Sequence, residues 1–367
     1  MRQRITRSTG PIIAVLAMAL VAMACGGSDD TPTASTDNTA GGTATTKEPA
    51  LTATLNAAGA TFPKGFYEVA IAGYKKAQPG VTVNYNANGS GAGRQSLQDG
   101  VVDFAGSDGL VAAADVGKYK GEFLYVPTIA APITVSYNLT GVQDLTLDAD
   151  TVAKIFQRQV KKWDDPAIAA QNPGARLPAT DITVARRSDG SGTTENFTKY
   201  LVAAAPTAWT LKSGSTVEWP TDTQAGNGNQ GVAQIVKGTA GAVGYVDLSD
   251  AKASGLQFAK IKNKSGKAVA ASLDGSTAAL GGAQVNADLT YNPLNADGAD
   301  AYPITAPTWI IVYADQTDKA KGEALKAWLT YLVADGQKLA EENDYAALPT
   351  SFTDKAKAAI SSIVVAG

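Results

Sequence analysis

Three times in this chain a β-patterned run ends in a small-residue loop that opens a helix. Ala-Thr-Phe-Pro at 60–63 follows the alternating run from Leu51, and Gly-Ser-Gly-Ala-Gly at 89–93 follows Val81-Thr82-Val83-Asn84-Tyr85. Gly-Ser-Gly-Thr-Thr at 190–194 follows Ile182-Thr183-Val184-Ala185 and the basic pair Arg186-Arg187. Alternation with β-branched residues reads as strand, and the apolar spacing after each loop reads as helix. Such a chain builds sheets flanked by helices, an α/β architecture. In open sheets of that kind ligands sit beyond the carboxyl ends of the strands, so loops from distant parts of the chain can meet on one ligand.

Each loop offers the same chemistry. A helix start leaves four backbone N–H groups without partners and carries partial positive charge. Small residues let an anion approach that backbone, and Ser and Thr add hydroxyl donors, so an oxyanion site is one reading and an ordinary capped turn the other. Arg187 and Asp189 lie two apart. They read as a guanidinium fork held by a carboxylate, or as a surface ion pair. Asp108 closes the short run Val102-Asp103-Phe104-Ala105-Gly106-Ser107. A carboxylate facing an anion is repulsive unless the ligand carries a proton to donate, as hydrogen phosphate does and sulfate does not. A site built around a ligand hydrogen bond rejects the analogue lacking it by roughly 10⁴–10⁵-fold. Asp108 as a plain helix cap is the alternative.

Other classes fall away on residue counts. There is no histidine, which excludes His-based zinc sites and every Ser-His or Cys-His arrangement. Gly266-Lys267 is followed by Ala268 with no glycine upstream in register, so no phosphate loop of the Walker type is present. Ser90 has Asn88 two before it and Ser191 has Asp189, so neither sits in a nucleophile elbow. Asp164-Asp165 precedes a proline and reads as solvated turn charge rather than a glycosidase pair. No metal site is expected.

The first 24 residues read as a secretory signal: Arg2, Arg4 and Arg7 precede an apolar core from Pro11 to Met23 that is too short to span a bilayer comfortably. The run Ala22-Met23-Ala24-Cys25 resembles a bacterial lipoprotein signal with Cys25, the single cysteine, as the acylated residue. Residues 25–50 then form a Ser/Thr/Gly-rich tether that cannot bury a core. Cleavage removes three arginines and no acids, taking the net charge from −3 to −6. Nothing suggests nucleic acid. The roughly 320 residues that follow exceed a comfortable single core and predict two domains.

Further along, helices are expected over Lys64–Lys76 (Phe66, Val69, Ala70 and Tyr74 inward), Arg94–Asp99, Ala112–Tyr119, Thr151–Phe156, Gly231–Lys237 and Lys319–Gln337, with a last one ending near Ile363. Two proline-punctuated apolar crossings, 127–137 and 302–313, look like strands connecting two lobes.

These residues match a known pattern. Ala-Gly-Ala-Thr-Phe-Pro (58–63), Gly-Ser-Gly-Ala-Gly (89–93), Val-Asp-Phe-Ala-Gly-Ser-Asp (102–108), Lys-Lys-Trp-Asp-Asp-Pro-Ala-Ile (161–168) and Arg-Arg-Ser-Asp-Gly-Ser-Gly-Thr (186–193) occur in order. Gly-Ala-Val-Gly-Tyr-Val (241–246), Tyr-Pro-Ile-Thr (302–305) and Asp-Tyr-Ala-Ala-Leu-Pro (344–349) complete the set. The chain resembles the phosphate-binding proteins of ABC phosphate-uptake transporters over nearly all of 51–350.

The resemblance implies a two-lobed clamshell of the type II periplasmic-binding-protein fold, with two hinge strands. The lobes would be 51–134 plus 304–367, and 135–303. It places ligand contacts on Thr61, Phe62 (through its backbone N–H), Ser90, Asp108, Arg187, Ser191, Gly192 and Thr193, with Asp189 bracing Arg187. Two departures stand out: Gly91 where many members have a second serine, and Gly109-Leu110 where Ala-Pro is commoner. The expected protein is no enzyme and needs no cofactor. It is a monomer held to the bacterial cell membrane by a lipid on Cys25, outside the cytoplasm. There it binds inorganic phosphate and delivers it to permease subunits driven by a cytoplasmic ATPase. A binder of sulfate or molybdate, a phosphomonoesterase, and a surface antigen or phosphate sensor without a transport role are the alternatives.

Overall fold

In the computed structural model of the chain, residues 50–367 are described; the signal segment, Cys25 and all but the last residue of the tether lie outside them. Eight strands carry the main sheet: β1 (Ala53–Gly59), β2 (Val81–Ala87), β3 (Phe104–Ser107), β4 (Phe123–Tyr137), β5 (Thr183–Arg187), β6 (Gln224–Gly226), β7 (Ala242–Asp247) and β8 (Thr305–Tyr313). Their spatial order is β2-β1-β3-β8-β4-β7-β5-β6, and Gln257–Phe258 pairs onto the end of β4. The outer strands run parallel: β1 with β2 and β3, and β5 with β6 and β7. The middle pairings, β3–β8, β8–β4 and β4–β7, are antiparallel.

One strand serves both halves. Residues 123–132 of β4 pair with β8 and residues 133–137 pair with β7. Pro127 and Pro132 punctuate the first crossing, and the structure runs through both as a single 15-residue strand. The prolines fall where the ladder tolerates a missing N–H. Pro127 pairs with Trp309 at the register shift between Thr308 and Trp309, and Pro132 is the last residue paired with β8. The second crossing is shorter than expected: β8 begins at Thr305, leaving Tyr302–Ile304 outside it.

The helices packed on the sheet include α1 (Lys64–Ala77), α2 (Ser90–Asp99), α3 (Gly192–Ala204), α4 (Gly228–Gly238), α5 (Lys319–Leu332) and α6 (Thr350–Ser361). In α1 the buried face is Phe66, Tyr67, Ala70 and Tyr74, so Tyr67 takes the place expected of Val69. α2 starts four residues earlier than its sequence predicts. Its contacts with β1 and β3 outweigh the low helix propensity of Gly91 and Gly93. The helix expected over Ala112–Tyr119 is only a 3₁₀ turn at Val116–Lys118 with no buried residue, so nothing there rewards helix formation. α5 buries Leu325, Trp328, Leu329 and Leu332 as expected but stops at Leu332. Gln337 ends it: Nε2 donates to the Leu332 carbonyl at 2.8 Å and to the Thr128 carbonyl at 2.7 Å.

The parallel strands of the two halves end at facing loops. β1, β2 and β3 run out into Ala60-Thr61, Gly89-Ser90 and Asp108, and β5, β6 and β7 into Ser188-Asp189, Asn227-Gly228-Asn229 and Leu248.

Candidate oxyanion-binding site

Ser191 is the N-cap of α3: its Oγ accepts the Thr194 N–H at 3.0 Å. Gly192 and Thr193 therefore occupy the first turn, where the helix supplies no acceptor for their N–H groups. Gly192 has no room for a side chain, because a Cβ there would lie 2.7 Å from Asp108 Oδ2. Its helix start is thus pressed against a carboxylate from the other half. Ser90, Asp108, Arg187, Ser191 and Thr193 are all buried.

Asp108 is fixed from several sides. Thr308 Oγ1 donates to Oδ1 at 2.8 Å, and Ser90 Oγ donates to Oδ2 at 3.4 Å while accepting the Asp108 N–H at 3.2 Å. Asn196, on α3, donates from Nδ2 to the Asp108 carbonyl. Burial raises the Asp108 carboxyl to about 7, against the opposing pull of the Thr308 hydrogen bond, the Arg187 charge, Ser90 and Arg94. Thr308 sits at the β4–β8 register shift, the kind of irregularity that re-aims a side chain.

Arg187 ends β5 and is only 3% exposed. Its Nε donates to Asp189 Oδ1 at 2.8 Å and its Nη2 to Asp189 Oδ2, the two-pronged pairing expected of this spacing. Nη1 donates to Asn229 Oδ1 at 2.9 Å and to Thr193 Oγ1 at 3.4 Å. Burial pushes the Asp189 carboxyl up, but the Arg187 hydrogen bonds and charge together outweigh it and hold the group below its ordinary value. Thr61 Oγ1 accepts the Asn229 N–H at 3.3 Å, joining the β1 loop to α4. Phe62 follows with its ring buried near Tyr345, whose hydroxyl donates to the Phe62 carbonyl at 2.9 Å.

The structure thus brings Ser90, Asp108 and Gly192 together, sets Arg187 beside Asp189 and Thr193, and links Thr61 to Arg187 through Asn229. Cys25 lies outside the described residues. Asn229, Thr308, Asn196, Arg94 and Glu195 were not singled out by sequence. Asn229 follows a Gly/Asn run after a three-residue strand, a fourth small-residue loop opening a helix, and that signal was available. Thr308 had none, because its role depends on a register shift.

At the rim the halves also touch. Gly91 N–H donates to the Gly190 carbonyl at 2.9 Å, so the departure at Gly91 falls at a point of backbone contact. Arg94 Nη1 donates to Ser107 Oγ at 2.8 Å and to the Gly109 carbonyl at 3.2 Å, and stands 3.8 Å from Glu195. A Cβ on Gly109 would meet the Glu195 carboxylate, so an alanine here requires that side chain to move. Beside this contact opens a cleft of about 530 Å³ lined by Arg94, Gln95, Tyr119, Glu195 and Lys199; none of the eight candidate contacts lines it. Among the described residues no helix is long and apolar enough to cross a membrane, and no group of three or more His, Cys, Asp or Glu could hold a metal ion.

The arrangement can cradle a buried tetrahedral anion: a guanidinium and a helix start on one side, hydroxyls and a proton-accepting carboxylate on the other. Known proteins with this chain's pattern agree in family. Residues 34–336 match the PBP superfamily domain. Phosphate-binding protein PstS 3 of Mycobacterium tuberculosis is 34% identical over 375 residues, covering 96% of this chain and 98% of the relative. Phosphate-binding protein PstS of Pasteurella multocida is 35% identical over 311 residues, covering 83% and 89%. Among solved structures, a high-affinity periplasmic phosphate-binding protein, PfluDING, bound with phosphate, aligns with a TM-score of 0.71 at 21% identity over 83% of this chain and 93% of that one. A putative phosphate ABC transporter substrate-binding protein with bound phosphate from Clostridium perfringens aligns with a TM-score of 0.62 at 16% identity, over 81% and 100%. The α/β two-domain fold is shared with these structures, and the chain belongs to the PBP superfamily and, within it, to the phosphate-binding proteins.

Proposed function

We propose that this chain binds inorganic phosphate between its two halves, outside the cytoplasm, and hands it to an ABC permease for import. The carrying observation is Asp108. A buried carboxylate set against the first turn of α3, within the field of Arg187, favours an anion that brings its own proton. Thr61, Ser90, Ser191 and Thr193 supply hydroxyls, Phe62 and Gly192 backbone N–H groups, and Arg187 the charge-assisted pair. Asp189 braces Arg187. The lobes are 51–134 plus 304–367, and 135–303. The change of partner along β4 at Pro132/Ile133 supports that division, and β4 and β8 are the hinge strands. Cys25 carries the lipid that holds the monomer at the membrane; the Ala22-Met23-Ala24-Cys25 run supports this.

Calorimetry on protein stripped of bound anion tests the reading. Tight phosphate binding with sulfate weaker by at least about a hundredfold at pH 8 is expected. Equal affinity for the two anions would overturn the role of Asp108. Hydrolysis of a chromogenic phosphoester by the pure protein would move the chain to another functional class.

A further inference from the structure

Arg187 has five N–H groups in a rigid fork. Asp189 engages the Nε–H and one N–H of Nη2, and Asn229 Oδ1 accepts one N–H of Nη1. Thr193 Oγ1 accepts the other N–H of Nη1 at 3.4 Å, which leaves one N–H, on Nη2. Asn229 is fully buried, and its orientation is not free. Its Nδ2 donates to Asp247 Oδ1 at 2.7 Å, so its oxygen must face the guanidinium. Asp247 is anchored in turn, because its Oδ2 accepts the Asp250 N–H at 3.1 Å as the cap of the short helix Leu248–Ala253. The same first turn of α4 also reaches Asp189, through the Gly228 N–H to Oδ1 at 3.1 Å. In the other direction the Asn229 N–H meets Thr61 Oγ1 in the opposite half.

We propose that Asn229 is a positioning residue for anion binding. Held by Asp247, it turns the guanidinium of Arg187 so that the remaining N–H of Nη2 points at the ligand, and its backbone ties that orientation to Thr61. This rests on the reading of Arg187 as a phosphate contact. In this role Asn229 acts through Arg187 and not on the ligand, and that is what separates positioning from simple structural support.

A double-mutant cycle on the full chain, read by phosphate affinity, tests it. Asn229→Ala is expected to weaken phosphate binding about tenfold in the natural background and less than about twofold when Arg187 is already Ala, since no fork remains to be aimed. Asn229→Ser, too short to reach the guanidinium, gives the same pattern if the alanine variant fails to fold, and the melting temperature of the anion-free protein identifies that failure. Equal losses in both backgrounds would overturn the proposal, as would no loss in the natural background. If Arg187→Ala leaves phosphate affinity unchanged, the phosphate-site reading fails. If Arg187→Ala weakens binding but Asn229→Ala does not, only the role of Asn229 fails.

Discussion

The two sides of the site are built from opposite materials. The side after β5 and β6 offers positive charge and dipole: Arg187 in its Asp189 brace, and the start of α3 capped by Ser191. The side after β1, β2 and β3 adds the starts of α1 and α2, with Thr61, the Phe62 N–H and Ser90, and sets the buried Asp108 among them. A guanidinium and a helix N-terminus attract any oxyanion and distinguish poorly among them. A carboxylate repels every oxyanion except one that can give it a proton. On the proposed reading, strength comes chiefly from the half with Arg187 and choice from the half with Asp108, and a clamp needs both halves together to show both properties.

That division is exposed most strongly by Arg187→Ala. Removing one partner of a buried charged hydrogen-bonding pair costs about 4 kcal/mol, close to a thousandfold in affinity. Phosphate and sulfate should weaken by similar factors, read by calorimetry, so the ratio between them stays put. A changed ratio would mean that Arg187 also selects.

Asp108 leaves a mark on stability as well. Its carboxyl is raised to about 7, above the ordinary value near 4 that it regains on unfolding. Between those values the folded protein holds a proton that the unfolded chain has lost. The contribution is full below about pH 4 and is lost as pH rises through about 7, at about 1.4 kcal/mol per pH unit. Anion-free protein should show this slope as the difference between the natural chain and Asp108→Asn in denaturant melts from pH 4 to 8. Parallel stability curves would place Asp108 in a far wetter setting. The same substitution should weaken phosphate about tenfold, less than Arg187→Ala does, and narrow the gap to sulfate, because the amide donates to an anion that has no proton to give.

Both halves were legible in the sequence to the extent that their chemistry is local. Ser191 capping α3, Arg187 two residues from Asp189, and three loops after three strands each depend on neighbours within a few positions, and spacing reveals them. What spacing could not reveal is contact across the molecule. Thr308 meets Asp108 from 200 residues away, and Asn229 meets Thr61 across 168. The single strand β4 was hidden because proline normally ends a strand; only the shift opposite Thr308 and the change of partner at Ile133 make room for Pro127 and Pro132. The missing helix at Ala112–Tyr119 failed for the converse reason: its local pattern had no surface to pack against.

The smallest expected effect concerns how the two halves hold together. Gly109 follows Asp108 on the selective side, and a methyl group there would collide with the Glu195 carboxylate from α3. Glu195 is also held by Lys199 at 2.6 Å, and its end is flexible enough to swing aside. The fold should therefore survive Gly109→Ala, while the Arg94–Glu195 pair, 3.8 Å apart and largely shielded from water, is disturbed. That pair joins the halves, so its loss weakens the closed clamp and leaves each half alone. The two ends already stand 3.8 Å apart with no hydrogen bond between them, so disturbing the pair should cost far less than breaking a direct buried one, about threefold in affinity and mostly through faster phosphate release. Stopped-flow release measurements should show it, with the melting temperature of the anion-free protein unchanged. Glu195→Ala should give the same loss, and Gly109→Ala should add nothing to it. If Gly109→Ala weakens binding further in the Glu195→Ala protein, the methyl group acts on Asp108 directly, and the separation of holding from choosing breaks down at this residue.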